Sequence, residues 1–479
     1  MASRFRPTSQ RRRASLAAIL LAATALGGCA TMAPRYERPA APVPQAWPSP
    51  ADTAVSGADA PWREVFPDPR LQGVIQLALE QNRDLRAATA NIERARAAYR
   101  VQRADLLPGI DATGQLQRGR TPAGATGLGQ ATDTELYSVS AGFAAYELDL
   151  FGRVRSLGDA ALQSFFAAEE NRRAAQVSLV AEVAAAYLTL AADQDLVGLT
   201  RDTLASRDAA FDIARKRFEA GAASELDLRQ AQTLADQARS DLATAEAQVA
   251  RDRNALRLLL GAELPADLAP QGGLAGVGVV AEAPAGLPSE VLVRRPDVLA
   301  AEHALRARNA DIGAARAAFF PRISLTGALG TISPELNGLF EGGTRTWSFT
   351  PQVTLPIFAG GANLANLRGA EAGRDAALAQ YEKAVQTAFR EVADALATRA
   401  TIGERTAAQA RLVEAAETAQ RLSQARYDNG LDSYLVLLDA QRTLYAARQS
   451  RLAADLAQAT NRVELYRALG GGGGPARAR

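Results

Sequence analysis

From residue 68 onward the chain carries two kinds of hydrophobic pattern, and it carries each of them twice. The first alternates with a period of two, which marks strands with one apolar and one polar face. Ile323, Leu325, Gly327 and Leu329 fall on one side; Ser324, Thr326, Ala328 and Gly330 fall on the other. Trp347, Phe349, Pro351, Val353, Leu355 and Ile357 interleave with Thr346, Ser348, Thr350, Gln352 and Thr354. In the first half Tyr137, Val139, Ala141, Phe143 and Ala145 form the apolar set. The pattern predicts strands over about 110–119, 134–148, 323–332 and 346–357, with 110–119 the weakest of the four. Loops rich in Gly, Thr and Pro, 119–133 and 333–345, join them in pairs.

The second pattern is helical. Leu228, Ala231, Ala235, Ala238, Leu242, Ala245, Val249, Leu256 and Leu259 keep a 3–4 spacing, and Asp252 is the one polar residue in that seam. Leu437, Ala440, Leu444, Ala447, Ala454, Leu465 and Ala468 repeat it, interrupted by Arg451, Gln458 and Asn461. A narrow Leu/Ala seam predicts coiled-coil packing with a left-handed supercoil. The stretch 153–193 reaches roughly 60 Å as a helix. Ser224 and Asp227, after the Gly221 turn, read as a capping box; the second copy has Ser433 but Val436, so its cap is half kept.

The two halves are copies. Asp84, Leu85, Ala88, Ile92, Arg103, Pro108, Ile110 and Gly114 recur as Asp297, Val298, Ala301, Leu305, Arg316, Pro321, Ile323 and Gly327. Arg217-Phe218 with Gly221 and Ser224 recurs as Arg426-Tyr427 with Gly430 and Ser433. This register places one structural repeat at 68–261, a linker at 262–282, a second repeat at 283–470 and a disordered tail at 471–479.

A sheet with one oily and one wet face, in segments of about ten residues, matches the wall of a membrane barrel. Four strands cannot close one, and an open edge in lipid is prohibitive. The pattern therefore predicts a barrel shared between chains.

The N-terminus reads as an address. Arg4, Arg6, Arg11, Arg12 and Arg13 precede a short apolar run at 14–26, then Gly27, Gly28 and Cys29. This is a secretory signal, too short to span a bilayer. Leu26-Gly27-Gly28-Cys29 resembles the bacterial lipobox, which implies cleavage after residue 28 and acylation of Cys29. A proline-rich tether follows to residue 67, extended and outside any core.

Composition removes other classes. The net charge of +2 resides in that signal; without its five arginines the rest is mildly acidic, with no footprint for nucleic acid. A single cysteine and a single histidine, His303, exclude an internal disulfide framework, a CxxC metal site and an HExxH helix. No Gly-Lys pair and no Gly-x-Ser-x-Gly occur, so neither a P-loop nor a nucleophile elbow is present. No enzyme activity and no cofactor are expected. His303 reads as an interhelical or surface residue.

Arg294-Arg295-Pro296-Asp297-Val298-Leu299-Ala300-Ala301-Glu302, Phe319-Phe320-Pro321-Arg322-Ile323-Ser324-Leu325-Thr326-Gly327, Leu355-Pro356-Ile357-Phe358-Ala359-Gly360-Gly361 and Leu437-Leu438-Asp439-Ala440-Gln441-Arg442 together resemble the outer-membrane factor family. With the lipobox they are similar to its NodT-type efflux lipoproteins. The resemblance covers essentially all of the chain after the signal. It implies a mainly α protein with membrane β: a homotrimeric α-barrel/β-barrel duct, four strands per protomer in a twelve-stranded barrel, and long periplasmic coiled-coil helices. It implies a passive exit for small molecules across the outer membrane, a periplasmic adaptor (membrane fusion) protein and an inner-membrane resistance-nodulation-division (RND) pump as partners, and outer-membrane lipid around the barrel. The same resemblance places the helical tips near Asp193–Gly198 and Gly403–Arg405. Asp193, Asp195 and Glu404 then become candidates for an acidic ring at the pore mouth, with Gly198 and Gly403 as bending points. A duct for type I protein secretion, and a lipid-anchored periplasmic coiled-coil scaffold, are the alternatives.

Overall fold

The computed structural model describes residues 31–44, 47, 61–125, 130–277 and 289–471. The elements run α1 (Trp62–Val65), α2 (Pro69–Gln81), α3 (Arg83–Ala104), β1 (Asp111–Thr121), β2 (Thr132–Leu148), α4 (Arg153–Glu219), α5 (Glu225–Leu260), α6 (Pro296–Ala317), β3 (Arg322–Ser333), β4 (Arg345–Thr354), α7 (Ala362–Asp428) and α8 (Tyr434–Ala468). The duplication is explicit. A helix, a hairpin, a 67-residue helix and a second long helix occur in the same order twice. Each 67-residue helix measures about 100 Å along its own axis.

The chain forms two compact units. One, built from the described residues within 31–40, 91–168 and 301–381, contains the sheet. Its four strands are all antiparallel in the order β1-β2-β3-β4. The other, built from the described residues within 41–90, 169–300 and 382–471, has a helical core. Leu71, Val74 and Ile75 of α2 pack there with Val183, Tyr187 and Leu190 of α4, Leu256 and Leu260 of α5, and Val463 and Tyr466 of α8. Asp68 caps α2 by accepting from the Arg70 and Leu71 amides, at 2.8 and 2.9 Å. Gly261 ends α5 in the left-handed region, and a β-carbon there would lie 2.6 Å from the Gln81 carbonyl oxygen. That contact restricts the position to glycine.

The structure bears out one doubtful strand and differs from three expected segments. Strand β1, the weakest in sequence, is fully formed over eleven residues. Strand β4 stops at Thr354, so Leu355–Ile357 lie in a loop where Ile357 and Phe358 are almost wholly exposed. Within the supposed tether, Trp62–Val65 is a helical turn and Phe66 is fully buried in the helical core. The nominal linker also enters that core, through Val277 and the partly buried Leu264, Leu268 and Leu274.

The helical seams follow the heptads in part. Ala231, Ala235, Ala238, Ala245 and Leu256 are buried as the pattern requires; at the end of α5, Leu260 is buried more deeply than Leu259. In α8 the seam buries Leu437, Ala447, Ala454, Leu465 and Ala468. Ser224 and Asp227 form the full capping box, whereas Ser433 makes no side-chain cap bond.

Candidate functional site

The sheet is the first part of the site. Cross-strand register places Leu116, Tyr137, Val139, Ala141, Phe143, Leu325, Leu329, Trp347, Phe349 and Val353 on one face. The opposite face carries Thr113, Gln115, Ser138, Ser140, Ser324, Thr326, Thr346, Ser348, Thr350 and Gln352. Leu329 and Trp347, directly paired, are 66% and 76% exposed, so nothing among the described residues covers the oily face around them. The register shifts between Phe143 and Tyr146, where Ala145 has φ 53° and donates its amide to Thr326 Oγ1 at 3.1 Å. This bulge moves the apolar phase from odd to even residues, so Tyr146 and Leu148 join the oily face opposite Leu325 and Ile323. Ala145 therefore leaves the apolar set in which simple alternation places it. Among the described residues, β1 and β4 each pair on one side only.

The second part lies where the long helices reverse. Helix α4 ends at Glu219, and Gly221 (φ 72°) sits at the turn. The Ala222 amide donates to the Arg217 carbonyl and the Gly221 amide to that of Phe218, a Schellman closure. Helix α7 ends the same way: Leu431 donates to Arg426 O, Gly430 to Tyr427 O, and Gly430 has φ 70°. The Arg426 guanidinium makes a two-pronged bond to Asp432, at 2.6 and 2.9 Å. The two turns meet. Arg217 Nη1 donates to Tyr427 Oη at 2.8 Å, and Ala214, Ala231, Leu234, Tyr434, Leu437 and Leu438 form a small core behind them. Around this end Phe218, Leu226, Leu431, Leu435 and Val436 remain exposed.

This overturns the expected tip. Asp193, Asp195 and Gly198 lie in the middle of α4, and Gly403 and Glu404 in the middle of α7; the chain reverses near residues 221 and 430 instead. Within the chain, Asp193 and Asp195 both face groups of the helical unit. Asp195 accepts the Leu274 amide at 2.8 Å and pins the 3-10 turn Leu274–Gly276. Asp193 is half-buried and faces Asp252, the polar residue of the α5 seam. Burial, then the neighbouring Asp252, push the Asp193 carboxyl up to about 7. An acid raised in the folded state favours folding once protonated, so its contribution is lost as pH rises from about 4 to about 7. Asp193→Asn should therefore raise the melting temperature at pH 8 and flatten the pH dependence between 4 and 7, measurable by thermal unfolding across that range. Cys29 lies outside the described residues.

Two signature residues have structural roles that spacing did not reveal. Arg295 is buried and donates to Asp297, to Glu391 and to the Ala468 carbonyl, so it ties the start of α6 to α7 and to the end of α8. Glu302, 3% exposed at its side chain, accepts from Arg306 and from residues of the N-terminal segment. His303 is interhelical, with Nδ1 2.7 Å from Gln163 Oε1 and its ring beside Phe166.

An amphipathic sheet with an uncovered oily face and two open edges, joined to paired helical hairpins, defines a wall segment of an outer-membrane channel. The chain belongs to the outer membrane efflux protein family, whose pattern matches residues 74–262 and 287–471. It is 48% identical over 464 residues to the toluene efflux pump outer membrane protein TtgC of Pseudomonas putida, covering 96% of both chains. It is 47% identical over 457 residues to outer membrane protein OprJ of Pseudomonas aeruginosa, covering 95% of each. The open-state MtrE outer membrane channel of Neisseria gonorrhoeae superposes with a TM-score of 0.84 at 42% identity, over 92% of this chain and 98% of that one. Members of this family are efflux ducts of the outer membrane and not enzymes.

Proposed function

We propose that three copies of this chain close one duct through the outer membrane, and that it carries small apolar molecules delivered by a periplasmic adaptor and an inner-membrane RND pump. The observation that carries the reading is the incomplete sheet: its oily face demands lipid and its two unpaired edges demand neighbours. Apolar cargo is inferred from the toluene pump component that this chain resembles.

In this reading the periplasmic mouth is built by the turns at Gly221 and Gly430. The Arg217–Tyr427 bond holds those turns together, and the exposed Leu226, Leu431, Leu435 and Val436 face the adaptor. Cys29 carries the acyl anchor. The described chain supports this, because from Arg38 back to Met32 it runs along α6 toward the start of β3. The test is genetic and biochemical together. Deleting the gene should sensitise cells to toluene and to apolar antibiotics. Leu431→Glu with Leu435→Glu should fail to restore resistance while still giving heat-stable assemblies in the outer membrane. Full restoration by that variant would remove the adaptor role from these turns. Unchanged tolerance on deletion would remove the cargo reading.

A further inference from the structure

The segment after Cys29 is held far more firmly than a tether needs to be. Glu302 receives four donors: Tyr36 Oη at 3.1 Å, Arg38 Nε at 3.1 Å, Arg38 Nη2 at 2.7 Å and Arg306 Nη2 at 2.6 Å. Three of them come from the N-terminal segment, some 265 residues away in sequence. The Arg306 guanidinium also lies over the Tyr36 ring, 4.7 Å from its centroid. Farther along α6, Asn309 Nδ2 donates to the Pro34 carbonyl at 2.7 Å. The Arg316 guanidinium reaches the Met32 carbonyl at 3.5 Å.

Between those contacts the backbone of Ala33 passes directly over Gly313. A β-carbon on Gly313 would fall 2.6 Å from Ala33 N and 2.9 Å from its Cα, with Ser156 Oγ at 2.6 Å on the other side. Contacts that close require a residue without a side chain. Burial alone would raise the Glu302 carboxyl, but the bonds from Arg38 and Arg306 outweigh it and hold the group below the usual carboxylate range. A buried carboxylate with several charge-assisted donors is costly to leave unpaired, so the clamp favours the docked segment strongly.

The contacts run in order: residues 38 and 36 at Glu302, 34 at Asn309, 32 at Arg316. Helix α6 ends at Ala317 and β3 starts at Arg322. The segment thus climbs to the base of the sheet. Two further residues reach at most about 7 Å beyond Thr31.

We propose that Glu302 is the positioning residue for the membrane anchor: it docks residues 31–38 in the α6 groove, so that the acyl chains on Cys29 enter the lipid at the foot of the chain's own sheet. This rests on the acylation of Cys29 proposed above. A docked segment spares the anchor from searching a long free tether, and it couples lipid insertion to the orientation of the sheet.

The test uses the full-length protein in outer-membrane fragments, treated with trypsin. Arg35–Tyr36 is the cleavable bond inside the docked segment, since Arg38 precedes proline. Wild-type protein should resist cleavage there. Glu302→Ala should be cut at least tenfold faster, releasing the lipidated N-terminal peptide while the body keeps its heat stability. Glu302→Gln, which retains an acceptor, should be intermediate. A general loss of folding would move the heat stability as well, which separates it from loss of docking. If Glu302→Ala does not assemble, Arg38→Ala with Tyr36→Phe removes the same bonds from the other side and should give the same cleavage. Unchanged cleavage in assembled Glu302→Ala, or in the Arg38→Ala/Tyr36→Phe variant, overturns the clamp. Palmitate labelling is measured in parallel. Wild-type protein without label overturns the acylation reading instead, and cleavage still reports on the clamp by itself.

Discussion

Arginine at Leu329 should abolish heat-stable assembly in the outer membrane, whereas arginine at Thr350 should leave it intact. Both residues lie near the middle of their strands, and the register places them on opposite faces. Leu329 is on the oily face, in contact register with Trp347 and Ala141. Burying an arginine at the bilayer midplane on a lipid-facing barrel strand costs about 2–4 kcal/mol. In a threefold assembly the cost is incurred three times, about 6–12 kcal/mol, which is of the order of a domain's whole stability. Thr350 is paired with Thr326 on the polar face, where an arginine meets water. Semi-native gel electrophoresis of outer-membrane extracts reads both variants. Equal tolerance of the two would show that the oily face does not meet lipid.

Arg295→Met should destabilise the helical unit by about 3 kcal/mol or more per chain. The guanidinium is 7% exposed and satisfies Glu391, Asp297 and the Ala468 carbonyl at once. Removing one member of a buried pair costs about 3–5 kcal/mol, because the partner remains buried and uncompensated. Asp297 is 42% exposed and recovers water, so the effect belongs at the lower end of that range. Arg295→Lys should restore only part of the loss, since an ammonium cannot span three acceptors with a planar fork. Denaturant midpoints of the purified protein measure this. A shift under about 1 kcal/mol would mean that the middle of α7 and the end of α8 are held to α6 by apolar packing alone.

Much of this architecture is legible from periodicity because it is repetitive. Leu325 and Leu329 against Thr326 and Ala328 give the face of β3 directly, and the second copy of each element checks the first. Strand β1 is harder to read, because Gln115, Gln117, Arg118 and Arg120 leave it little apolar signal. Its strand character comes from continuous pairing with β2. The bulge at Ala145 leaves no local mark, because alanine is a poor indicator of a positive φ.

The helical tip differs for another reason. Resemblance places it near 193–198 and 403–405, while the local chemistry points to the glycine turns at 221 and 430. Gly221 followed by Ser224, and Gly430 followed by Ser433, pair a helix-stopping glycine with a helix-starting serine. Residues 193–198 lack such a pair, and α4 passes through them unbroken. Asn461, read as an interruption of the seam, is buried within it and donates to the Ala395 carbonyl at 3.0 Å. The grip of Glu302 on Tyr36 and Arg38 links residues about 265 positions apart, which no local pattern reveals.

The account depends on β1 of one chain pairing with β4 of the next. Within one chain these strands are the two edges of a four-stranded sheet, about 14 Å apart at roughly 4.8 Å per strand spacing. That is well beyond the roughly 7 Å between α-carbons that a disulfide can bridge. Cysteines introduced together at Gln115 or Thr113 in β1 and at Ser348 or Thr350 in β4 should, on oxidation in intact outer membranes, yield covalent dimers and a closed covalent trimer on denaturing gels. Monomer alone from every such pair, in protein that has reached the outer membrane and folded, would contradict the shared barrel.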